Sequence, residues 1–170
     1  WEVISLESPG KSHAINTAMA RIESQVLIIS DADAIVSEGW FEKTIWWLSK
    51  KDVGAISGVE EIRKTRGGFE TYYRGTADKL RIKESGIFST PILEGGFIAF
   101  KKKCVGRFFL NERANADDTQ LSLRNIEMGY RSVMTSEITF SSRRNSTDGL
   151  RRSIRRSQGL SRALVRKSYL

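Results

Sequence analysis

The stretch Gln25-Val26-Leu27-Ile28-Ile29-Ser30 is apolar without alternation and stops abruptly at Asp31-Ala32-Asp33. A strand that is apolar on both faces must be covered on both. That is the situation of a central strand in an α/β sheet, not of a half-solvated antiparallel one. Its surroundings agree. Ala14, Ala18 and Ile22 recur at helical spacing before it, and Glu2 to Leu6 alternates as a strand does. After it, Phe41, Ile45 and Leu48 fall on one face of a helix that also carries Trp40, Trp46 and Trp47 as packing groups, and Val53 to Ile62 reads as a further strand. The alternation predicts α/β layers joined by right-handed crossovers.

Further along, a helix is expected around Tyr72 to Lys83, and a strand over Ile92 to Lys101 interrupted by Gly95-Gly96. Two adjacent glycines in a strand leave room for another backbone or a ligand to approach. Asp117 to Met128 carries acids at its start, Leu121, Leu123 and Ile126 inside and Gly129 as a stop, which predicts a helix; Tyr130 to Phe140 returns as a strand.

Charge divides the chain in two. Of 28 Lys and Arg, nine lie in 143–170 against the single acid Asp148, whereas 1–142 is neutral. The basic tail places Leu150, Ile154, Leu160 and Leu164 amid arginines, which predicts short amphipathic helices facing an anion such as phosphate, nucleic acid or an acidic lipid surface. One cysteine, Cys104, excludes an internal disulfide and a Cys-based zinc site, and reads as a small buried apolar group. No apolar run reaches the roughly 18 residues a membrane-spanning helix needs. His13, the only histidine, has no nucleophile near it in sequence and is assigned no role.

Two acidic pairs could carry chemistry. Asp31 and Asp33 follow a buried strand, where open α/β sheets bind ligands, and two carboxylates there suit Mg²⁺ or Mn²⁺ completed by phosphate oxygens; they suit a helix cap equally well. Asp117 and Asp118 at a helix start satisfy free N–H groups and the helix dipole. The alternative reading has one capping while Asp118 faces a cleft as a general base.

In chain order, Gly10-Lys11-Ser12-His13-Ala14-Ile15-Asn16, the apolar strand with Asp31-Ala32-Asp33-Ala34, Val53-Gly54-Ala55-Ile56-Ser57-Gly58, Glu94-Gly95-Gly96-Phe97-Ile98-Ala99-Phe100-Lys101 and Ala116-Asp117-Asp118-Thr119-Gln120-Leu121-Ser122 with Gly129-Tyr130-Arg131 resemble family 2 glycosyltransferases of the GT-A fold. The resemblance implies a Rossmann-like α/β fold with a mixed, mainly parallel sheet and flanking helices. It implies a partial catalytic domain over 1–142, incomplete at the N-terminus by about two β-α units, and a basic tail over 143–170 leading toward a membrane region. It implies inverting transfer of a sugar from a nucleotide-diphosphate sugar to an acceptor hydroxyl on a lipid or glycan, at the inner face of the cell membrane. Asp33 would bind the cation, with Asp31 on the ribose or the metal shell. Asp118 would be the base, with Asp117 standing where Glu is usual. Lys11 would contact the nucleotide, and Glu94, Gly95 and Gly96 would border the donor sugar and acceptor. Arg152-Ser153-Ile154-Arg155-Arg156 resembles the family's Gln/Arg-x-x-Arg-Trp element except that Arg156 replaces Trp, and Arg152 and Arg155 would face the diphosphate. The rival reading is a basic-tailed domain without catalysis, binding nucleic acid or a membrane surface; the body carries no aromatic stacking motif for nucleic acid.

Overall fold

A computed structural model describes residues 3–61, 69–107, 109–114 and 116–142, with the side chains of 69–71, 73 and 74 excepted, and in the tail only Ile154, Ser157, Gln158 and Ser161. Ten elements follow in order: α1 (Lys11–Arg21), β1 (Val26–Ser30), β2 (Ala34–Val36), α2 (Trp40–Ser49), β3 (Val53–Glu60), α3 (Phe69–Ile87), β4 (Phe97–Lys101), α4 (Lys102–Val105), α5 (Asp117–Glu127) and β5 (Arg131–Ser142). The strands form one sheet in the order β1-β4-β3-β5-β2. Apolar side chains alternate between its faces and build two cores. Ala55, Ile98 and Phe100 meet Ile15 of α1, Val105 of α4 and Leu121 of α5 on one side. Ile56, Phe97, Ala99 and Phe140 meet Leu48, Trp40 and Trp47 of α2 on the other.

The mixed α/β sheet with flanking helices is as expected, but its pairing is not mainly parallel. Among the described strands β3·β5 is parallel, and β1·β4, β3·β4 and β2·β5 are antiparallel. The reason lies between α3 and β4. Instead of entering the next strand directly from the helix, the chain passes Thr90, whose N–H donates to Ser132 O, and then Glu94, whose N–H donates to Ser57 Oγ. It thus passes from the start of β5 to the middle of β3 before reversing at Gly95-Gly96. β4 therefore descends against both neighbours, while β1, β3 and β5 all run the same way and share one carboxyl edge.

Three further expectations change. Among the described residues β1 is not covered on both faces, and Ile28 is 40% exposed. Residues 3–6 form no strand, and Val3 is exposed. In α2 the inward face is Trp40, Thr44, Trp47 and Leu48, because Trp47 Nε1 donates to Glu137 Oε2 and Trp40 packs edge-on to Phe97. Phe41, Ile45 and Trp46 are turned outward, where Trp46 with Trp47 carries the Lys50 ammonium about 4 Å from their rings. β2 and α4 are short elements without a sequence signal. Cys104 is buried and free, its thiol pushed up by burial.

Candidate active site

The acidic turn after β1 reaches its place through strand register. Ser30 pairs with Phe97, so the chain leaving β1 meets the glycine pair entering β4, and Asp31 N–H donates to Gly96 O at 3.2 Å. Both glycines are dictated by crowding. A Cβ on Gly96 would collide with the Phe140 ring, and one on Gly95 would stand 3.1 Å from Asp118 Oδ2. The first turn of α1 supplies Lys11, which lies over the same edge. Its ammonium donates to Asp31 Oδ1 at 2.7 Å and to Gly95 O at 3.3 Å. It also lies 3.3 Å from Asp117 Oδ2. Burial, the largest influence, pulls the Lys11 pKa down, but the charges of Asp117 and Asp31 outweigh it and hold the ammonium above its ordinary range.

α5 brings the second acidic pair. Its N-cap is Ala116, which offers no capping side chain. Asp118 meets part of that need itself: Oδ1 accepts from Thr119 N–H at 2.6 Å and from Thr119 Oγ1 at 3.3 Å. The other oxygen of the same carboxyl, Oδ2, lies against Gly95. Desolvation, then the neighbouring charge of Asp117 and more weakly that of Glu94, push Asp118 up to about 6 against hydrogen bonds from Thr119 that pull it down. Asp117 Oδ2 is buried without a hydrogen bond and has the Lys11 ammonium as its counter-charge.

Glu94 is held from two directions. Its N–H donates to Ser57 Oγ, and its Oε2 accepts from Arg81 Nη1 at 3.0 Å; Arg81 also lies 3.5 Å from Asp78. Arg81 and Ser57 were not singled out from the sequence. Ser57 does fall within one of the quoted motifs, on the β3 face that also carries Ala55. Arg81 had no signal beyond its place on a helix.

Lys11, Asp31, Glu94, Gly95, Gly96, Asp117 and Asp118 are thus brought to one edge of the sheet. Asp33 is exposed on the turn that follows Asp31. Arg152 and Arg155, like the expected tail helices except for the helical Ile154, Ser157, Gln158 and Ser161, lie outside the described residues. A separate cleft of about 680 Å³ runs between α1 and residues 109–113 and contains none of these groups; His13 is there, paired with Glu112 at 3.0 Å. Among the described residues no cluster of three or more His, Cys, Asp or Glu is arranged to hold a metal ion. The two carboxylates of the Asp31-Ala32-Asp33 turn are nevertheless of the kind that a hard cation takes, one or two from the protein with phosphate oxygens filling its shell.

The family model described as "Glycosyl transferase family 2" matches residues 1–109. The chain belongs to that family. Its fold is similar to a mannosyltransferase of Pyrobaculum calidifontis solved with GDP-Man and Mn²⁺, at 27% identity and TM-score 0.82, over 96% of this chain and 45% of that one. It is also similar to S. aureus TarS 1-349 solved with UDP-GlcNAc, at 15% identity and TM-score 0.58, over 85% of this chain and 43% of that one. Glucosyl-3-phosphoglycerate synthase of Mycobacterium tuberculosis, solved with Mn²⁺ and UDP-Glc, is similar at 18% identity and TM-score 0.52, over 94% of this chain and 56% of that one. The chain therefore spans about half the length of these proteins. No curated protein sequence matches it.

Proposed function

We propose that this chain supplies the catalytic edge of an inverting glycosyltransferase, with Asp118 as general base. The observation that carries the reading is a desolvated carboxyl whose Oδ2 lines the Gly95 backbone, while its Oδ1 is fixed by Thr119. A general base needs a fixed carboxyl whose pKa lies near the working pH. The hold of Thr119 on Oδ1 and the raised pKa support that role for Asp118.

The chemistry follows from the charges. The acceptor oxygen bonds to the anomeric carbon as that carbon's bond to the diphosphate oxygen breaks. The acceptor proton passes to Asp118, and the electron pair leaves with the diphosphate. Base and leaving group stand on opposite faces of the sugar, so one displacement inverts the centre. Negative charge grows on the diphosphate and must be met by preorganised positive charge. Lys11, whose ammonium lies among Asp31, the Gly95 carbonyl and Asp117, would take that task. Asp31 and Asp33 would hold Mg²⁺ or Mn²⁺, which would supply Lewis-acid neutralisation of the same charge. Arg152 and Arg155 would add guanidinium groups. In support, Ser142, the last described residue of β5, pairs with Ala34 directly after the acidic turn. We assign 1–142 to the partial catalytic domain and 143–170 to a basic segment that meets diphosphate or an anionic membrane surface at the cytoplasmic face. The acceptor is a hydroxyl of a lipid or glycan. Mn²⁺ accompanies GDP-Man in the mannosyltransferase and UDP-Glc in the synthase, which favours a nucleotide-diphosphate sugar with a divalent cation as donor here.

The test is single-turnover transfer from GDP-mannose, UDP-glucose and UDP-N-acetylglucosamine, with product configuration read by proton NMR. An inverted anomeric centre, lost in Asp118→Asn with donor binding intact, supports the assignment. A retained configuration, or full activity in Asp118→Asn, overturns it.

A further inference from the structure

The described edge carries four carboxylates, Asp31, Glu94, Asp117 and Asp118, and two cations are set among them. Arg81 is committed to Glu94 and Asp78 on the α3 side. Lys11 is different: it comes from another element and bridges three segments at once, the Asp31 turn, the Gly95 carbonyl and the start of α5. Its position is set by opposite charge on both sides rather than by packing, since the side chain is 43% exposed. Asp117 Oδ2, buried with no hydrogen bond, has this ammonium as its nearby compensation. A buried carboxylate oxygen without a partner is costly, so the pair resists separation unless another cation arrives.

Resting on the cation-site reading above, we propose that Lys11 is a built-in counter-cation, which neutralises Asp31 and Asp117 in the empty protein and thereby opposes binding of a divalent cation on its own. A cation bringing a diphosphate with it meets a different balance. The diphosphate gives the ammonium a new anion, and Asp31 and Asp117 are left to the incoming ion. Lys11 thus makes cation and nucleotide bind as a pair, acting as a positioning residue for both acidic segments. Two like charges brought near one another repel, so the effect holds whether the ion sits on Asp31 or on the neighbouring Asp33.

The experiment is a Mn²⁺ titration of the full chain followed by electron paramagnetic resonance, with and without GDP, on the wild type, Lys11→Met and Lys11→Arg. The expected result is that Lys11→Met binds Mn²⁺ alone about two- to fivefold more tightly than the wild type, in line with the worth of a partly exposed ion pair. GDP then enhances Mn²⁺ binding less than in the wild type. Lys11→Arg, which keeps the charge, follows the wild type. A thermal melt in chelator controls for folding and reads the same charge: Lys11→Met melts lower, and Mn²⁺ raises it further than it raises the wild type. If Mn²⁺ alone binds Lys11→Met no more tightly than the wild type, while GDP binding weakens, Lys11 is a phosphate contact only and the counter-cation role is overturned with the proposed function intact. If none of the three binds Mn²⁺ even with GDP, the cation-site reading fails and takes this inference with it.

Discussion

Asp118 concentrates the account at the scale of a single residue. Its carboxyl is raised from 3.8 to about 6, by desolvation first and the Asp117 charge second. As a base it must be ionised, so the transfer rate should climb with pH through about 6 and level above it, which a rate profile at saturating donor will check. Asp118→Asn should lower that rate at least a hundredfold, the usual worth of a placed base. Stability gives an independent reading. Between the unfolded value near 3.8 and the folded value near 6, the folded chain holds a proton that the unfolded chain has released. Stability therefore falls as pH rises across that window and is level beyond it. Asp118→Asn removes this fall, so melting points taken from pH 4 to 7 should slope less in the variant. Asp31, Asp33, Asp117, Asp118 and Lys11 were legible in the sequence because each stands at the start or end of a recognisable pattern. Arg81 was not, since its meeting with Glu94 depends on how α3 lies over the sheet, which helical periodicity does not encode.

At the scale of elements, the reversal at Gly95-Gly96 decides both the strand order and the shape of the site. Gly96→Ala would force a methyl group into the buried Phe140 ring and should cost about 1–3 kcal/mol, read as a lowered denaturant midpoint. Gly95→Ala meets the Asp118 carboxyl instead of the core. It should fold with nearly wild-type stability yet lose at least tenfold in turnover, because displacing a base by a fraction of an ångström spoils its geometry. Helix α5 and strands β3 and β5 were read closely from acids, apolar runs and the Gly129 stop, whose φ of +82° suits glycine. The direction of β4 was not, because an apolar strand looks the same whether it runs up or down. The inward face of α2 was misread for a related reason: eight of its ten residues other than Glu42 and Lys43 offer no charged face to mark the solvent side, so tertiary partners such as Glu137 and Phe97 choose it.

Across the whole molecule, a neutral body and a basic tail meet at Ser142, next to the acidic turn. Among the described residues no helix is long and apolar enough to cross a membrane. Replacing Arg152 and Arg155 together by Glu should reduce turnover in detergent-free solution if they face diphosphate. If they face lipid, the same change should leave turnover intact and abolish co-sedimentation with vesicles containing anionic phospholipid. The overall charge asymmetry was plain in the sequence, because it rests on a simple count of Lys and Arg against Asp and Glu. On the proposed function, the edge built from Asp31, Asp33 and Lys11 holds a nucleotide-diphosphate sugar for Asp118 to work on. Calorimetric titration of GDP-mannose, UDP-glucose and UDP-N-acetylglucosamine, with Mn²⁺ and with chelator, into the wild type, Asp33→Asn and Asp118→Asn measures this. At least one donor should bind in a cation-dependent way that is lost in Asp33→Asn and kept in Asp118→Asn; binding that ignores the cation, or that survives in Asp33→Asn and vanishes in Asp118→Asn, would overturn the proposal.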